Sequence, residues 1–161
     1  MNARWEPIAE CLRDEIAESG GLLHLFDVQQ QALAARDAAA SVRHGNAINA
    51  FVRKLAECRA RRDKVVDAFA IKHGFPAGTP VRSLLPSIKA DVRPLLSALI
   101  DETNHLLRRV RRASRRNHAL LTGAAVLQQE TLSLLRASSV PKPQSRLHSG
   151  VDRHSVLRAA G

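Results

Sequence analysis

The longest regular pattern in the chain runs from about Ser87 to Ala137. Counted in sevens, one position carries Leu85, Val92, Leu99, Leu106, Ala113, Leu120, Leu127 and Leu134. A second carries Leu96, Thr103, Val110, Asn117, Ala124 and Thr131, and a third carries Ile100, Leu107, Leu121 and Leu135. This is an apolar stripe of helical period, with no Gly or Pro between Pro94 and Gly123. It predicts a helix of roughly 50 residues, about 75 Å long. The start is expected between Ser87 and Val92, with Pro94 in the first turn or at a kink, and the end near Ser138-Ser139. A stripe of that length cannot bury itself. It needs other long helices of the same chain, or a second protein.

Two earlier stretches supply such helices. Trp5, Ile8, Leu12, Ile16, Leu23, Phe26 and Leu33 share one helical face, and Pro7 suits a first turn. Ser19-Gly20-Gly21 interrupts that face. Two glycines cost roughly 2 kcal/mol against alanine in a helix interior, so a kink, a break or close approach of another backbone is expected there. The following turn has two solutions. Asp37 suits the cap of a helix beginning at Ala38, and His44-Gly45-Asn46 offers a Gly stop followed by an Asn cap. The second helix then carries Ile48, Phe51, Val52, Leu55, Cys58, Val65, Val66 and Phe69, with Arg53, Lys54, Arg59, Arg61 and Lys64 opposite. Arg62 falls in phase with Leu55 and Phe69, so it must snorkel to an edge or meet an acid of the first helix.

Gly74 ends the second helix, and Phe75-Pro76-Ala77-Gly78-Thr79-Pro80 reads as a loop. Thr79 is expected to cap a short helix through Leu85, with Pro80 at its first position. After Ser139, Val140-Pro141-Lys142-Pro143-Gln144-Ser145 reads as a linker. The tail beyond it holds too few apolar residues to fold alone. The pattern therefore predicts an all-α, antiparallel up-and-down bundle of three long helices plus one short helix over residues 1–139. Residues 140–161 form a mobile C-terminal tail in this reading.

Composition agrees. The 161 residues suit one domain, and 45 % are hydrophobic with only 3 % aromatic, which favours interdigitating helices over a sheet. No convincing strand is found. Cys11 and Cys58 lie on apolar helix faces and read as buried free thiols. None of the seven His sits at ligand spacing with a Cys, so no metal and no cofactor is expected. The N-terminus lacks a signal pattern, and no apolar run is long enough to span a bilayer. The expectation is a soluble, cytoplasmic protein without membrane insertion.

Net charge is +10 and uneven along the chain. Residues 1–37 hold seven acids against three bases, a net of −4. Residues 108–116 hold six Arg and no acid. The six arginines lie off the seam, while Val110 and Ala113 face in. One reading is a solvated face balanced by the acidic first helix. The others are phosphate binding or docking to an acidic partner. No aromatic platform accompanies them, so nucleic acid is not expected as a partner. No nucleophile with its base, phosphate loop or paired carboxylate is present, so no enzyme is expected. Asn117 sits on the seam, where a polar residue commonly sets register.

The layout resembles the FlgN-type flagellar export chaperones from about residue 5 onward. The residues that carry the resemblance are Ala32-Leu33-Ala34-Ala35-Arg36-Asp37, Lys54-Leu55, Arg61-Arg62-Asp63, Val81-Arg82-Ser83-Leu84-Leu85-Pro86 and Arg115-Arg116-Asn117-His118-Ala119-Leu120-Leu121. Arg-Arg-Asn-x-x-Leu-Leu is the most specific. In that family the first turn falls at the position of Asp37. The family's tail often carries an aromatic-then-Gly segment, whereas Leu147-His148-Ser149-Gly150 has His alone there.

The resemblance implies a cytoplasmic binding protein for type III export. Such a protein covers terminal helices of hook-associated junction proteins, prevents premature assembly and hands the cargo to the export apparatus. It places the partner surface on the end of the last helix and the tail. The candidate residues are Asn117, Leu127, Leu132, Leu134, Leu135, Val151, Val156 and Leu157. The alternatives are an Arg-rich helical protein that binds nucleic acid or another polyanion, and a coiled-coil adaptor without cargo.

Overall fold

The structure, a computed structural model, describes residues 4–138. It contains helices α1 (Glu6–Ala34), α2 (Ala38–Lys72), α3 (Val81–Leu84) and α4 (Arg93–Ser138), with a 3-10 turn at Leu85–Ser87. No strand occurs among the described residues. This is the expected all-α bundle of three long helices and a short one. α1 and α2 are antiparallel: Asp14 meets Arg61, Glu18 meets Lys54, and Gln29 meets Ser41. α4 runs in the direction of α1. Ile8 clusters with Leu96 and Ile100, and Phe26 bonds to Asn117 further along.

The turn between α1 and α2 is at Asp37, the second helix starting at Ala38 and running through Gly45 without a break. Asp37 N donates to Ala32 O at 2.9 Å, and Arg36 N donates to Leu33 O at 3.1 Å. That pairing satisfies carbonyls at the end of α1 and needs a left-handed residue, which Arg36 supplies at φ 56. Asp37 also accepts from Ala40 N at 2.9 Å, so the residue that ends one helix caps the next. The Gly45-Asn46 alternative fails because a cap is useful only where the backbone has already turned.

Ser19-Gly20-Gly21 does not interrupt α1, which continues to Ala34. The glycines differ in role. A Cβ on Gly20 would meet nothing within 4 Å, whereas one on Gly21 would lie 2.6 Å from Phe51 Cε1. Gly21 is thus closely approached, but by the Phe51 ring of α2 and not by the backbone that was expected.

At the far end of α2, Gly74 adopts φ 80, and Phe75 N donates to Ala70 O at 2.9 Å. Thr79 does not cap the short helix. Its hydroxyl donates to Pro76 O at 2.6 Å, and α3 begins at Val81 behind Pro80 with no side-chain cap. α4 begins at Arg93, one residue later than the expected range, with Pro94 in its first turn. Leu85 belongs to the 3-10 turn and Val92 lies just before the helix, so the seam of α4 itself starts at Leu96. Of the two cysteines, Cys11 is buried and Cys58 only half-buried; both are free.

The core alternates between apolar and polar layers. Ile8, Leu12, Val66, Phe69, Leu84, Leu96 and Ile100 form one apolar cluster. Leu22, Phe26, Ile48, Leu55 and Ala113 form another. Between their levels along α1, α2 and α4 lie Glu15, Ser19, Arg62 and Thr103. Arg62 Nη1 donates to Glu15 Oε2 at 3.0 Å, so the out-of-place arginine meets an acid of the first helix. Glu15 is fully buried, and burial pushes its carboxyl above the usual range while Arg62 and Arg59 pull it back. A further polar layer, Gln29, Ser41 and Asn117, follows the second cluster. The compact unit containing these layers ends at Ala125, and a second unit begins at Val126.

Candidate partner-binding surface

Along α4 the seam first sinks into the bundle and then surfaces. Leu96, Ile100, Thr103, Leu106, Ala113 and Asn117 are buried, and Val92, Leu99, Leu107 and Val110 are half-buried. Asn117 is the last buried seam residue among those described. Its amide Nδ2 donates to Phe26 O at 2.8 Å and to Gln29 Oε1 at 3.1 Å. Past Gln29, α1 continues only to Ala34, so at equal rise it covers little more than one further turn of α4. Leu120 and Leu121 keep the seam's phase but are already exposed.

In the unit that begins at Val126, every described side chain is exposed. Leu127 is 65 % exposed and Leu134 is 72 % exposed, with Leu135, Leu132 and Val126 also open. At about 100° per residue, Leu127, Leu134 and Leu135 share an arc of about 100°, and Leu132 flanks it. Most large apolar side chains of a soluble helix lie against something. Here several neighbouring leucines on one face lie open, an exposed apolar face of the kind that makes this stretch the candidate surface.

Of the candidate residues, the structure brings Leu127, Leu132, Leu134 and Leu135 onto one exposed stretch of helix. It removes Asn117, which is 1 % exposed and whose amide is spent on α1. The reason is local. A seam position stays in the core for as long as α1 lies beside it, and at Asn117 it still does. Val151, Val156 and Leu157 lie outside the described residues. Leu120, Leu121 and Val126 were not among the candidates, yet they are as open as Leu132. Their signal was the seam itself, once the end of α1 at Ala34 is set against it.

The expected balance between an acidic α1 and the arginines of α4 is corrected. Asp14 pairs with Arg61, Glu15 with Arg62, and Glu18 with Lys54 at 3.4 Å, all on α2. Only Asp27 reaches the cluster, at 3.5 Å from Arg116. Asp14, Glu15 and Glu18 face α2 because the hairpin sets those two helices side by side.

A half-open cavity of about 670 Å³ is lined by Leu12, Arg62, Thr79, Arg82, Thr103 and Asn104, among others. Its charges are already matched: Arg62 with Glu15 and Asp63, Arg82 with Asp101, and Asp67 with Gly78 N. Among the described residues no group of His, Cys, Asp or Glu is arranged to hold a metal ion. No described helix is long and apolar enough to cross a membrane.

No curated protein matches the chain significantly, and no solved structure does. The family model described as FlgN protein matches residues 2–146. It spans the bundle and the exposed end of α4. On that match the chain belongs to the FlgN family of flagellar chaperones.

Proposed function

We propose that the chain holds hook-associated junction proteins in the cytoplasm, keeps their terminal helices from assembling early, and passes them to the export apparatus. One observation carries this reading: the open leucine face of Leu127, Leu134 and Leu135 at the end of a helix whose earlier seam is buried. A helix of the cargo laid along that face would restore the packing that α1 and α2 give the rest of α4. Each leucine covered this way is worth roughly 1.5–3 kcal/mol relative to full exposure, before ordering costs. The apolar tail residues Val151, Val156 and Leu157 would add area. A tail that orders only on binding keeps affinity moderate, which suits a cargo that must be released.

The test is assembly itself. Light scattering follows polymerisation of a purified hook-associated junction protein with and without the chain. The proposal expects a stoichiometric delay and a soluble complex. Unchanged polymerisation at molar excess would refute it.

A further inference from the structure

The arginine cluster of α4 is left without its expected counterpart. Arg108, Arg109, Arg111, Arg112 and Arg115 are exposed, and no described carboxylate lies within ion-pair distance of any of them. Arg109 and Arg116 are seven residues apart and share the flank on which Asp27 meets Arg116. The other four fall at i, i+3, i+4 and i+7. At about 100° per residue they occupy one arc of about 100° over about 10 Å of helix. Like charges at these spacings repel one another, so the stripe is a standing electrostatic cost until an anion covers it.

The surroundings select among anions. From Asn104 to Thr122 the same arc carries Asn104, His105, His118, Ala119 and Thr122, with no Phe, Tyr or Trp and no large apolar side chain. A base finds no Phe, Tyr or Trp platform there, only the two imidazoles at the ends of the stripe and the guanidinium planes. An acyl chain has nothing to receive it. The cations are all Arg, whose planar fork matches a carboxylate in two-point fashion. The molecule also shows how it joins such groups. Asp14, Glu15 and Glu18 of α1 meet Arg61, Arg62 and Lys54 of α2 across antiparallel helices.

We infer that Arg108, Arg111, Arg112 and Arg115 form a docking face for an acidic helix of a partner protein, one whose carboxylates recur at i, i+3 or i+4, and i+7. The side chains of that helix rise along its axis at the same pitch as the arginines, so each guanidinium meets one carboxylate without bending either helix. This assignment does not depend on what binds the leucine face.

The test uses the full chain and three probes. The first is a helical peptide with Glu at that phasing. The second has the same composition with its Glu spread around the helix. The third is a duplex RNA of 20 base pairs. Fluorescence anisotropy is read at several salt concentrations. The phased peptide is expected to bind at least tenfold more tightly than the spread one and than the RNA. The variant R108E/R111E/R112E/R115E is expected to lose that binding, with its thermal melt unchanged because all four side chains are exposed. Replacing the four by Lys should weaken binding several-fold without abolishing it. Equal binding of the two peptides, tighter binding of RNA, or full retention of binding by the Glu variant would each overturn the inference. Should the Glu variant melt early, the Lys variant decides alone, and unchanged affinity there counts against it.

Discussion

Asn117 of α4 donates its side-chain amide to Gln29 Oε1 of α1 at 3.1 Å, and the same amide reaches Phe26 O at 2.8 Å. Gln29 in turn donates from Nε2 to Ser41 O at 3.4 Å, so one chain of amides ties all three long helices near the hairpin turn. A polar link buried in a seam of leucines fixes register, because sliding α4 by one residue would strand both amides. Replacing Asn117 with Ala should therefore cost about 1–3 kcal/mol, since Phe26 O and Gln29 Oε1 lose a donor. Chemical denaturation measures it. Cargo affinity, read where the variant is fully folded, should stay the same, which a partner-contacting residue would not allow.

The two neighbouring glycines of α1 should respond in opposite ways. Gly20→Ala has open space and removes a helix-interior glycine, so it should stabilise by about 0.5–1 kcal/mol. Gly21→Ala gains the same propensity but sets a Cβ 2.6 Å from the Phe51 ring. It should be less stable than Gly20→Ala, and trimming the ring in Gly21→Ala/Phe51→Leu should narrow the gap. Denaturation midpoints of the three variants check this.

Glu15 gives the fold a pH signature. Burial raises its carboxyl above its ordinary value of 4.5, with Arg62 and Arg59 opposing. A carboxyl that is harder to ionise when folded holds its proton more tightly in the native state. The charged form then costs stability, so this group's contribution weakens as pH rises from 4.5 through the raised folded value and is flat beyond it. The difference in unfolding free energy between wild type and Glu15→Gln should shift against wild type across that interval and nowhere else. Urea melts of both proteins from pH 4 to 8 test the sign.

Leu106 and Leu127 occupy the same heptad position of one helix and should behave as different residues. Leu106 is buried, so Leu106→Asp places an unpaired charge in the seam and should cost several kcal/mol. Leu127→Asp should leave the melting temperature within about 1–2 °C, because an exposed substitution of this kind stays within about 0.5 kcal/mol. Circular dichroism melts of the two variants settle the contrast.

Most of the bundle was legible because helical periodicity reports burial directly: the seam of α4 and the Gly74 stop follow from local chemistry, whereas local chemistry left the first turn open between Asp37 and Gly45-Asn46, and only the family resemblance favoured Asp37. The pairing of elements was harder to read. Charge sums suggested that acidic α1 answers the arginines of α4, but the hairpin at Arg36-Asp37 presents those acids to α2 first. Glu15, Ser19, Gln29 and Ser41 were not expected inside, since a polar residue looks the same on either face until its partners across the core are known. At Gly20-Gly21 a kink, a break or the approach of a backbone was expected, and none of these was the Phe51 ring that lies against Gly21. The exposed leucines were visible as a pattern. Their exposure was not, because an apolar residue in phase with the seam looks the same whether or not a neighbour covers it.

The proposed docking of cargo on the open leucine face can be measured directly. Isothermal titration calorimetry of the full chain against the terminal helical segment of a hook-associated junction protein tests it, with wild type beside Leu127→Asp/Leu134→Asp. Wild type should bind measurably with a negative heat-capacity change, as burial of apolar surface requires. The double variant should bind at least tenfold more weakly, with its melt unchanged. Equal affinities for the two proteins would contradict it.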